Sequence, residues 1–281
     1  MPRPIISLTT DFGQADGYVG AMKGVILGIC PQATLVDISH EIRPQAVRQA
    51  AYILGKTTPY FPPGTVHLVV VDPGVGSARR PIAVRTSRAM YVAPDNGVLT
   101  WVLDQDPTPL AIHLTEASYR LPQVSATFHG RDVFAPAAAH LACGTDSREM
   151  GEAVPLSSLV ALPALEQELQ ADGSWQGEIL HVDHFGNLVT SLRFPKIETQ
   201  SLDACSRFRV IVGNEQVRGL SRTFADVESG DLVAYIGSDG YLEIAVRNGN
   251  AAARLRVDTG ETIRVKGLGH THDFYSANHD L

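Results

Sequence analysis

Apolar residues in the first half of the chain form short runs of strand length, separated by stretches with helical spacing. The runs predict buried strands at 4–10, 34–38, 65–71, 81–86, 90–93 and 111–113. Apolar residues that recur every three or four positions predict helices at 17–29, 45–57, 96–103 and 131–143. Because strands alternate with helices, we expect a mostly parallel sheet flanked by helices, an α/β domain that spans residues 1–165.

The pattern changes near residue 160, because strand signals then follow one another with turns between them. The predicted strands are 177–183, 188–192, 207–212, 232–236, 241–246 and 254–257. Turn sequences such as SDG at 238–240 and RNGN at 247–250 separate them. We therefore expect a smaller antiparallel, barrel-like β domain at residues 172–268, followed by a polar tail at 269–281.

Composition and charge narrow the classes of function. The chain has 281 residues and a formal net charge of −7, which argues against nucleic acid as a partner because phosphate binding needs a basic face. No apolar run approaches the roughly 18 residues of a membrane span, and the start MPRPIISLTTD has no signal-peptide core. Cys30, Cys143 and Cys205 share no CxxC spacing and are interpreted as buried, reduced thiols. We expect a soluble, cytoplasmic protein.

The most distinctive segment, VVVDPGVGSARR, carries one carboxylate, Asp72, from an apolar run into a glycine-rich turn. Two cations, Arg79 and Arg80, follow it. Because α/β proteins place reactive side chains at the carboxyl ends of strands, Asp72 is a candidate site residue. The turn is not followed by the lysine and hydroxyl residue of a phosphate-binding P-loop. The structural alternative is that Asp72 caps its own turn.

Two further polar clusters follow predicted strands. In TTDFGQADGY, Asp11 leaves the first strand, where a carboxylate can accept hydrogen bonds from a ribose diol. Asp16 precedes the first helix and could instead cap it. In FHGRD, His129 precedes a helix and Gly130 leaves its surroundings open, which favours a functional histidine over a structural one.

The fourth cluster, VDHFGNLVT at 182–190, lies in the second predicted domain. On a strand, Asp183, Phe185 and Asn187 would share one face. A carboxylate, an aromatic ring and an amide on one face suit a cationic group and a purine. The alternative is a bulged hairpin with turn chemistry.

A metal site is the less favoured interpretation of the same residues. Asp11, Asp72, His129 and Asp183 form a plausible mixed oxygen and nitrogen set. They show no paired ligand spacing, however, and two arginines beside Asp72 would compete with a metal ion.

The quoted motifs, together with APDNGVL and TFHGRDVFAPAAAHLA, resemble in this order the S-adenosyl-L-methionine hydroxide adenosyltransferases. These are adenosine-forming hydrolases related to the fluorinase and chlorinase enzymes, and the resemblance spans about residues 4 to 250. It implies an α/β domain, a smaller C-terminal β domain and a homotrimer. The active sites would lie between the N-terminal domain of one chain and the C-terminal domain of its neighbour. Water or hydroxide would attack ribose C5′ of the substrate S-adenosyl-L-methionine, giving adenosine and L-methionine, with no cofactor and no metal.

The resemblance also implies roles for single residues. The water-handling, catalytic set falls on Asp72, Arg79 and His129. The substrate-binding set falls on Asp11 at the ribose diol, Asp16 and Asp183 on the methionine side, Phe185 and Phe224 against adenosine, Asn187, Arg247 and Gly249 at the adenine edge, Ser238 at the methionine carboxylate, and Gly130.

Four positions depart from the halogenase pattern. Gly130 stands where halogenases carry a serine beside the halide, and Asp72 where they carry an uncharged residue. Asp239 replaces an arginine that follows the carboxylate-binding serine, and Gln45 lies near a tryptophan position. Because an ionised Asp72 would repel a halide in a dry site, the hydrolase is favoured over a halogenase. Two further functions stay open, a non-catalytic protein that binds adenosine or S-adenosyl-L-methionine and a metal-dependent phosphoesterase.

Overall fold

The computed structural model describes residues 3–165, 167–194 and 207–267. The chain divides into two compact units, one that ends at Pro163 and one that begins at Ala164. The predicted tail at 269–281 and Cys205 lie outside the described residues. The domain boundaries at 165 and 172 remain predictions.

The first unit is built on a mixed sheet. Its strands are β1 Ile5–Thr10, β2 Thr34–Ser39, β3 Val66–Val70, β4 Pro81–Arg85, β5 Met90–Pro94, β6 Leu110–Leu114 and β7 Gly151–Val154. They lie in the order β2-β1-β3-β5-β4-β6-β7. Strands β2, β1, β3 and β5 run parallel, and β4, β6 and β7 extend the sheet with antiparallel pairs. The parallel strands bring the ends of β1 and β3 to one edge.

Helices cover both faces of this sheet. They are α1 Tyr18–Ile29, α2 Val47–Thr57, α3 Thr100–Leu103 and α4 Ala135–Ala142. Along β3 the side chains alternate: Leu68 and Val70 pack in one core with α1 and α4, whereas Val69 packs in a second core with α2 and α3. The predicted α/β fold is confirmed.

Two predicted helices differ in how they begin. The helix predicted at 96–103 begins only at Thr100, because the Asn96 side chain accepts a hydrogen bond from the Val98 N–H and Gly97 has φ +92°. The helix predicted at 131–143 begins as a π-helical turn at Gly130–Phe134 and continues as α4. Such π turns are frequent at functional sites.

The second unit contains an antiparallel, barrel-like sheet. Its strands are β8 Gln167–Leu169, β9 Trp175–Val182, β10 Leu188–Arg193, β11 Arg209–Val212, β12 Glu215–Arg218, β13 Leu232–Ile236, β14 Tyr241–Val246 and β15 Thr262–Lys266. The order is β12-β11-β15-β9-β10-β14-β13, with β8 paired to β9. Its core includes Trp175, Leu188 and Ile263. The predicted architecture of this domain is confirmed.

The strand predicted at 254–257 is wrong. The chain forms helix α5, Ala251–Leu255, there, because the Asn250 side chain accepts a hydrogen bond from the Ala253 N–H and so caps it. The helix ends at Arg256, whose φ of 55° is left-handed. The strand that follows is β15, which the sequence pattern did not predict.

One of the two described cysteines differs from the prediction. Cys30 is buried as predicted, but Cys143 is exposed, because it sits at the C-terminal cap of α4.

No helix in the described part of the chain combines the length and apolarity that crossing a bilayer requires.

Candidate active site

A cavity of about 370 Å³ opens at the carboxyl edge of the first sheet. Asp11 lies directly after β1 and Asp72 lies two residues after β3, so the parallel strands bring both carboxylates to this edge. Both line the cavity, together with His129 and Gly130 at the start of the π turn. This volume lies within the range of small-molecule sites.

Asp72 is held by an arginine rather than by its own turn. The Arg79 Nε lies 2.9 Å from Asp72 Oδ1 and 3.0 Å from Oδ2, and Arg79 Nη2 also donates to Oδ2. Both side chains are largely buried, with 5% of Asp72 and 8% of Arg79 exposed. The guanidinium also lies over the Phe134 ring, 5.0 Å from its centroid. This pairing contradicts the turn-cap alternative for the Asp72 side chain.

The same guanidinium contacts His129. Arg79 Nη2 lies 2.8 Å from His129 Nδ1. Because a guanidinium can only donate, Nδ1 must accept, and the neutral ring then carries its proton on Nε2. Burial, followed by the charge of Arg79, lowers the pKa of His129 below its usual 6.5. Arg79 therefore joins a carboxylate and a neutral imidazole in one hydrogen-bonded set.

The turn after β3 is fixed by contacts from outside it. Asn96 Nδ2 donates to the Val71 carbonyl at 2.8 Å, next to Asp72 in the chain. Gly76 has φ +76°, and a Cβ there would lie 2.6 Å from the Ala126 carbonyl oxygen. Asn96 belongs to the APDNGVL motif, to which the family resemblance assigned no site residue.

Asp11 uses one of its oxygens within the protein. Its Oδ2 accepts a hydrogen bond of 2.8 Å from the backbone N–H of Gln45, a cavity residue with φ 65°. Asp16 is exposed, does not line the cavity and does not cap α1, whose N-terminal cap is Gly17 with no side-chain bond. The first sheet edge thus gathers Asp11, Asp72 and His129, but not Asp16.

Three aromatic rings that sequence reasoning did not single out form one wall of the cavity. Phe12, Tyr18 and Phe128 line it, with ring centroids 5.3 to 5.9 Å apart. Gly130 lies against them, and a Cβ there would be 3.3 Å from the Phe128 ring and 3.4 Å from the Phe12 ring. The signal was available, because Phe12 directly follows Asp11 and Phe128 directly precedes His129.

In the second unit, residues 183–187 form a turn between β9 and β10, not a strand. Asp183 Oδ1 accepts from the Phe185 and Asn187 N–H groups at 2.9 and 2.8 Å. Asn187 Nδ2 donates to Asp183 Oδ2 at 2.8 Å. The shared strand face is therefore wrong and the hairpin alternative is right. Phe185 is 71% exposed, whereas Asn187 is 8% exposed.

Two further candidate segments lie next to this turn. Gly186 faces the Asn250 side chain so closely that a Cβ would lie 2.1 Å from it, which places the Arg247–Gly249 turn beside the hairpin. Arg247 donates to the Ala225 and Val227 carbonyls, next to Phe224. Phe224 is 40% exposed and lies 4.8 Å from the Tyr235 ring. The Asp183–Asn187 hairpin, the Arg247–Gly249 turn and Phe224 therefore lie close together in the second unit.

Ser238 lies in the turn between β13 and β14. It is exposed, and its hydroxyl donates to Asp239 Oδ2 at 3.3 Å. A contact that joins it to the Asp183–Asn187 hairpin is not seen among the described residues.

Within the three described ranges, no group of three His, Cys, Asp or Glu side chains is arranged to hold a metal ion. The polar groups at the cavity are instead a carboxylate held by a guanidinium, a neutral imidazole and a second carboxylate. Such a set can orient a water molecule and accept its proton.

Sequence profiles of two domains match the chain. The profile of the S-adenosyl-L-methionine (SAM) hydroxide adenosyltransferase N-terminal domain matches residues 6–151. The profile of the C-terminal domain of the same family matches residues 177–264.

Curated proteins and solved structures agree over nearly the whole chain. A protein of Salinispora tropica named (R)-S-adenosyl-L-methionine hydrolase is 41% identical over 268 residues, 94% of this chain and 98% of that protein. One of the same name from Thermus thermophilus is 42% identical, over 94% of this chain and 99% of its own. A fluorinase of Nocardia brasiliensis is 30% identical, over 94% and 97%. The structure of an uncharacterized conserved protein from Thermotoga maritima has a TM-score of 0.85 at 38% identity, covering 92% of this chain and 99% of that one.

Proposed function

We propose that this chain, which belongs to the SAM hydroxide adenosyltransferase family, hydrolyses S-adenosyl-L-methionine to adenosine and L-methionine. The observation that carries the proposal is the hydrogen-bonded set in which Arg79 holds both Asp72 and His129 at the cavity. The relatives named (R)-S-adenosyl-L-methionine hydrolase support it, at 41% and 42% identity over most of the chain.

The chemistry needs an activated nucleophile more than an acid. A sulfonium leaves as a neutral thioether, so its departure needs no proton. Water is a weak nucleophile, and a positioned base contributes roughly 10²–10⁴-fold. Alignment of that water with the C5′–S bond contributes an orientation effect.

The tautomer of His129 divides the work between the two residues. His129 Nδ1 accepts from Arg79, so its Nε2–H can only donate to the water oxygen. Asp72 Oδ1 accepts only from Arg79 Nε, so it keeps a lone pair free and accepts the water proton, whereas Oδ2 accepts from both Nε and Nη2. Arg79 is the positioning residue that orients both groups. The new C5′–O bond forms as the C5′–S bond breaks, and methionine leaves with the electron pair on sulfur.

The substrate-binding roles rest on the family resemblance. Asp11 has one oxygen available for the ribose diol, since its other oxygen accepts from Gln45. Phe185 and Phe224 would pack against adenosine, and Asn187 and the Arg247–Gly249 turn would contact its adenine edge. Asp16, Asp183 and Ser238 would contact the methionine part, and Gly130 would line the cavity.

The assembly is proposed on the same basis. We propose a homotrimer in which the first unit of one chain and the second unit of its neighbour complete each active site. S-adenosyl-L-methionine and adenosine are the ligands, no cofactor or metal takes part, and the protein acts in the cytoplasm.

The test is to incubate the purified protein with S-adenosyl-L-methionine and resolve the products by liquid chromatography and mass spectrometry. Parallel samples contain chloride or EDTA. We expect adenosine and methionine in equal amounts, unchanged by either addition. Formation of 5′-chloro-5′-deoxyadenosine would favour the halogenase, loss of activity with EDTA would favour the phosphoesterase, and adenosine binding without turnover would favour the binding protein.

A further inference from the structure

We propose that His40 is a positioning residue that fixes one wall of the cavity through the hydroxyl of Thr10. This wall shares Phe12 with the aromatic wall but is a different one. It consists of two segments, Asp11–Gly13 after β1 and His40–Gln45 after β2. Four residues of these segments line the cavity: Asp11, Phe12, Pro44 and Gln45. The consequence for substrate rests on the proposed function, because Asp11 on this wall is the proposed ribose ligand.

His40 and Thr10 form a buried pair. The side chain of His40 is fully buried and Thr10 is 0% exposed. Thr10 Oγ1 lies 2.8 Å from His40 Nδ1. A hydrogen bond of this kind inside a protein costs much to break, because it leaves a buried polar group without a partner.

The surroundings fix the direction of this bond for the neutral ring. His40 Nε2 lies 3.0 Å from Asp37 Oδ1, so a lone pair at Nε2 would face a carboxylate and a proton there would be attracted to it. That carboxylate favours a proton on Nε2 in the neutral ring, and Nδ1 would then accept from the Thr10 hydroxyl. The other oxygen of Asp37, Oδ2, accepts a hydrogen bond of 2.6 Å from Lys23 Nζ on α1. The chain of contacts runs from α1 through β2 to the end of β1.

The same two residues order the backbone of the wall. Thr10 Oγ1 also accepts from the Phe12 N–H at 3.3 Å. The His40 carbonyl accepts from the Gly13 N–H at 2.8 Å, where Gly13 has φ +66°. With the bond from the Gln45 N–H to Asp11, these contacts join the two segments on both sides of the Asp11 carboxylate.

The sheet contains a matched pair that lies away from the cavity. Ser7, three residues earlier on β1, bonds through its hydroxyl to Nδ1 of the buried His67 at 2.6 Å. Neither residue lines the cavity at the carboxyl edge. Loss of this bond should destabilise the fold without moving the wall, which makes Ser7→Ala the control.

The experiment compares Thr10→Val, which removes the hydroxyl at nearly constant shape, with Thr10→Ser, which keeps it. For Thr10→Val and His40→Ala we expect KM for S-adenosyl-L-methionine and Kd for adenosine to rise about tenfold, the largest effect typical of one such bond. We expect kcat within about threefold of the unmodified protein, because the bonds of Arg79 are untouched. Thr10→Ser should have the KM of the unmodified protein, because it keeps the hydroxyl. Ser7→Ala should change only the melting temperature.

Amide hydrogen exchange supplies a readout that needs no substrate. The N–H groups of Phe12, Gly13 and Gln45 should exchange faster in Thr10→Val and His40→Ala, and at the unmodified rate in Ser7→Ala. Asp37→Ala, at a half-exposed position, gives a weaker change in the same direction if the buried variants do not fold. Unchanged exchange of these three amides in the folded variants overturns the inference. Absence of turnover in the unmodified protein overturns the proposed function instead, and the exchange result still decides this one.

Discussion

Arg79 is the residue that organises the candidate site, because its Nη2 contacts both a carboxylate and an imidazole. A lysine could supply the charge but not the planar fork that bonds Asp72 with two nitrogens. The sequence identified Asp72, Arg79 and His129 as a set through family resemblance. It could not show that Arg79 lies between the other two, because that depends on the fold of the turn at 73–78.

The first residue-scale prediction concerns the proposed base. Asp72→Asn should lower kcat by about 10²–10⁴-fold, because an amide cannot accept the water proton. Adenosine binding, measured by calorimetry, should stay within about threefold. The matched control is Asp95→Asn, since Asp95 is a buried carboxylate paired with Arg80 that does not line the cavity. The assignment fails if Asp72→Asn hydrolyses at the rate of the unmodified enzyme.

The second residue-scale prediction concerns the pH at which His129 gains a proton. Because burial and the charge of Arg79 lower the pKa of His129 below 6.5, His129 should remain neutral as the pH falls from 8 to 6.5. Its contribution to folding stability is then present above pH 6.5 and is lost as the pH falls through the lower, folded pKa. An NMR titration of the ring, assigned with His129→Asn, should give a midpoint below 6.5. A midpoint above 6.5 contradicts this environment.

The third residue-scale prediction concerns the replacement of Gly130 by serine. A serine Cβ would lie 3.3 Å from the Met22 sulfur and 3.3 Å from the Phe128 ring, both far ends of side chains that can shift by a few tenths of an ångström. Gly130→Ser should therefore fold, with kcat/KM lower by about tenfold. A tenfold loss corresponds in free energy to about one lost hydrogen bond. In chloride it should form no 5′-chloro-5′-deoxyadenosine, because Asp72 still repels the anion. Mass spectrometry that finds this product would refute the exclusion of halide by Asp72.

At the scale of elements, the hairpin between β9 and β10 depends on one carboxylate. Asp183 accepts from two backbone N–H groups and the Asn187 amide. Asp183→Ala should lower the free energy of unfolding by about 1–3 kcal/mol, because three hydrogen bonds to a carboxylate are lost. Urea denaturation measures this change. A loss below the error of that measurement would show that the turn does not depend on Asp183.

Apolar patterns predicted the elements whose buried positions are apolar and in which no polar side chain redirects the backbone. The strands at 232–236 and 241–246 and the helix that begins at Tyr18 agree with the sequence to within a residue. The errors occur where one polar side chain decides the backbone. Asn250 caps a helix where apolar spacing suggested a strand, and the Asp183 carboxylate closes a turn where alternation suggested one face.

On the scale of the whole molecule, the fold class followed from the alternation of strand and helix patterns, and the family followed from the order of several motifs. The aromatic wall of Phe12, Tyr18 and Phe128 did not, because rings from three separate segments meet only after the sheet has formed. The His40–Thr10 pair is hidden in sequence for the same reason, since 30 positions separate the two residues.

The proposed trimer leads to a complementation prediction. Asp72→Asn disables the first unit of a chain, and Asn187→Ala disables adenosine binding by the second. If sites combine units of neighbouring chains, mixed trimers of the two inactive variants should regain part of the activity, and each pure variant should not. Light scattering should give three times the chain mass of 30.2 kDa. Activity absent from the mixture, with mixed trimers shown by native mass spectrometry, would refute shared sites.

The roles proposed for Asp72, Arg79 and His129 all depend on attack of water at ribose C5′ of S-adenosyl-L-methionine. The most direct measurement is turnover in water enriched in oxygen-18, followed by mass spectrometry of both products. We expect adenosine that carries the heavy oxygen in its 5′-hydroxyl, and methionine without it. Unlabelled adenosine, or no adenosine at all, would contradict attack by water at C5′.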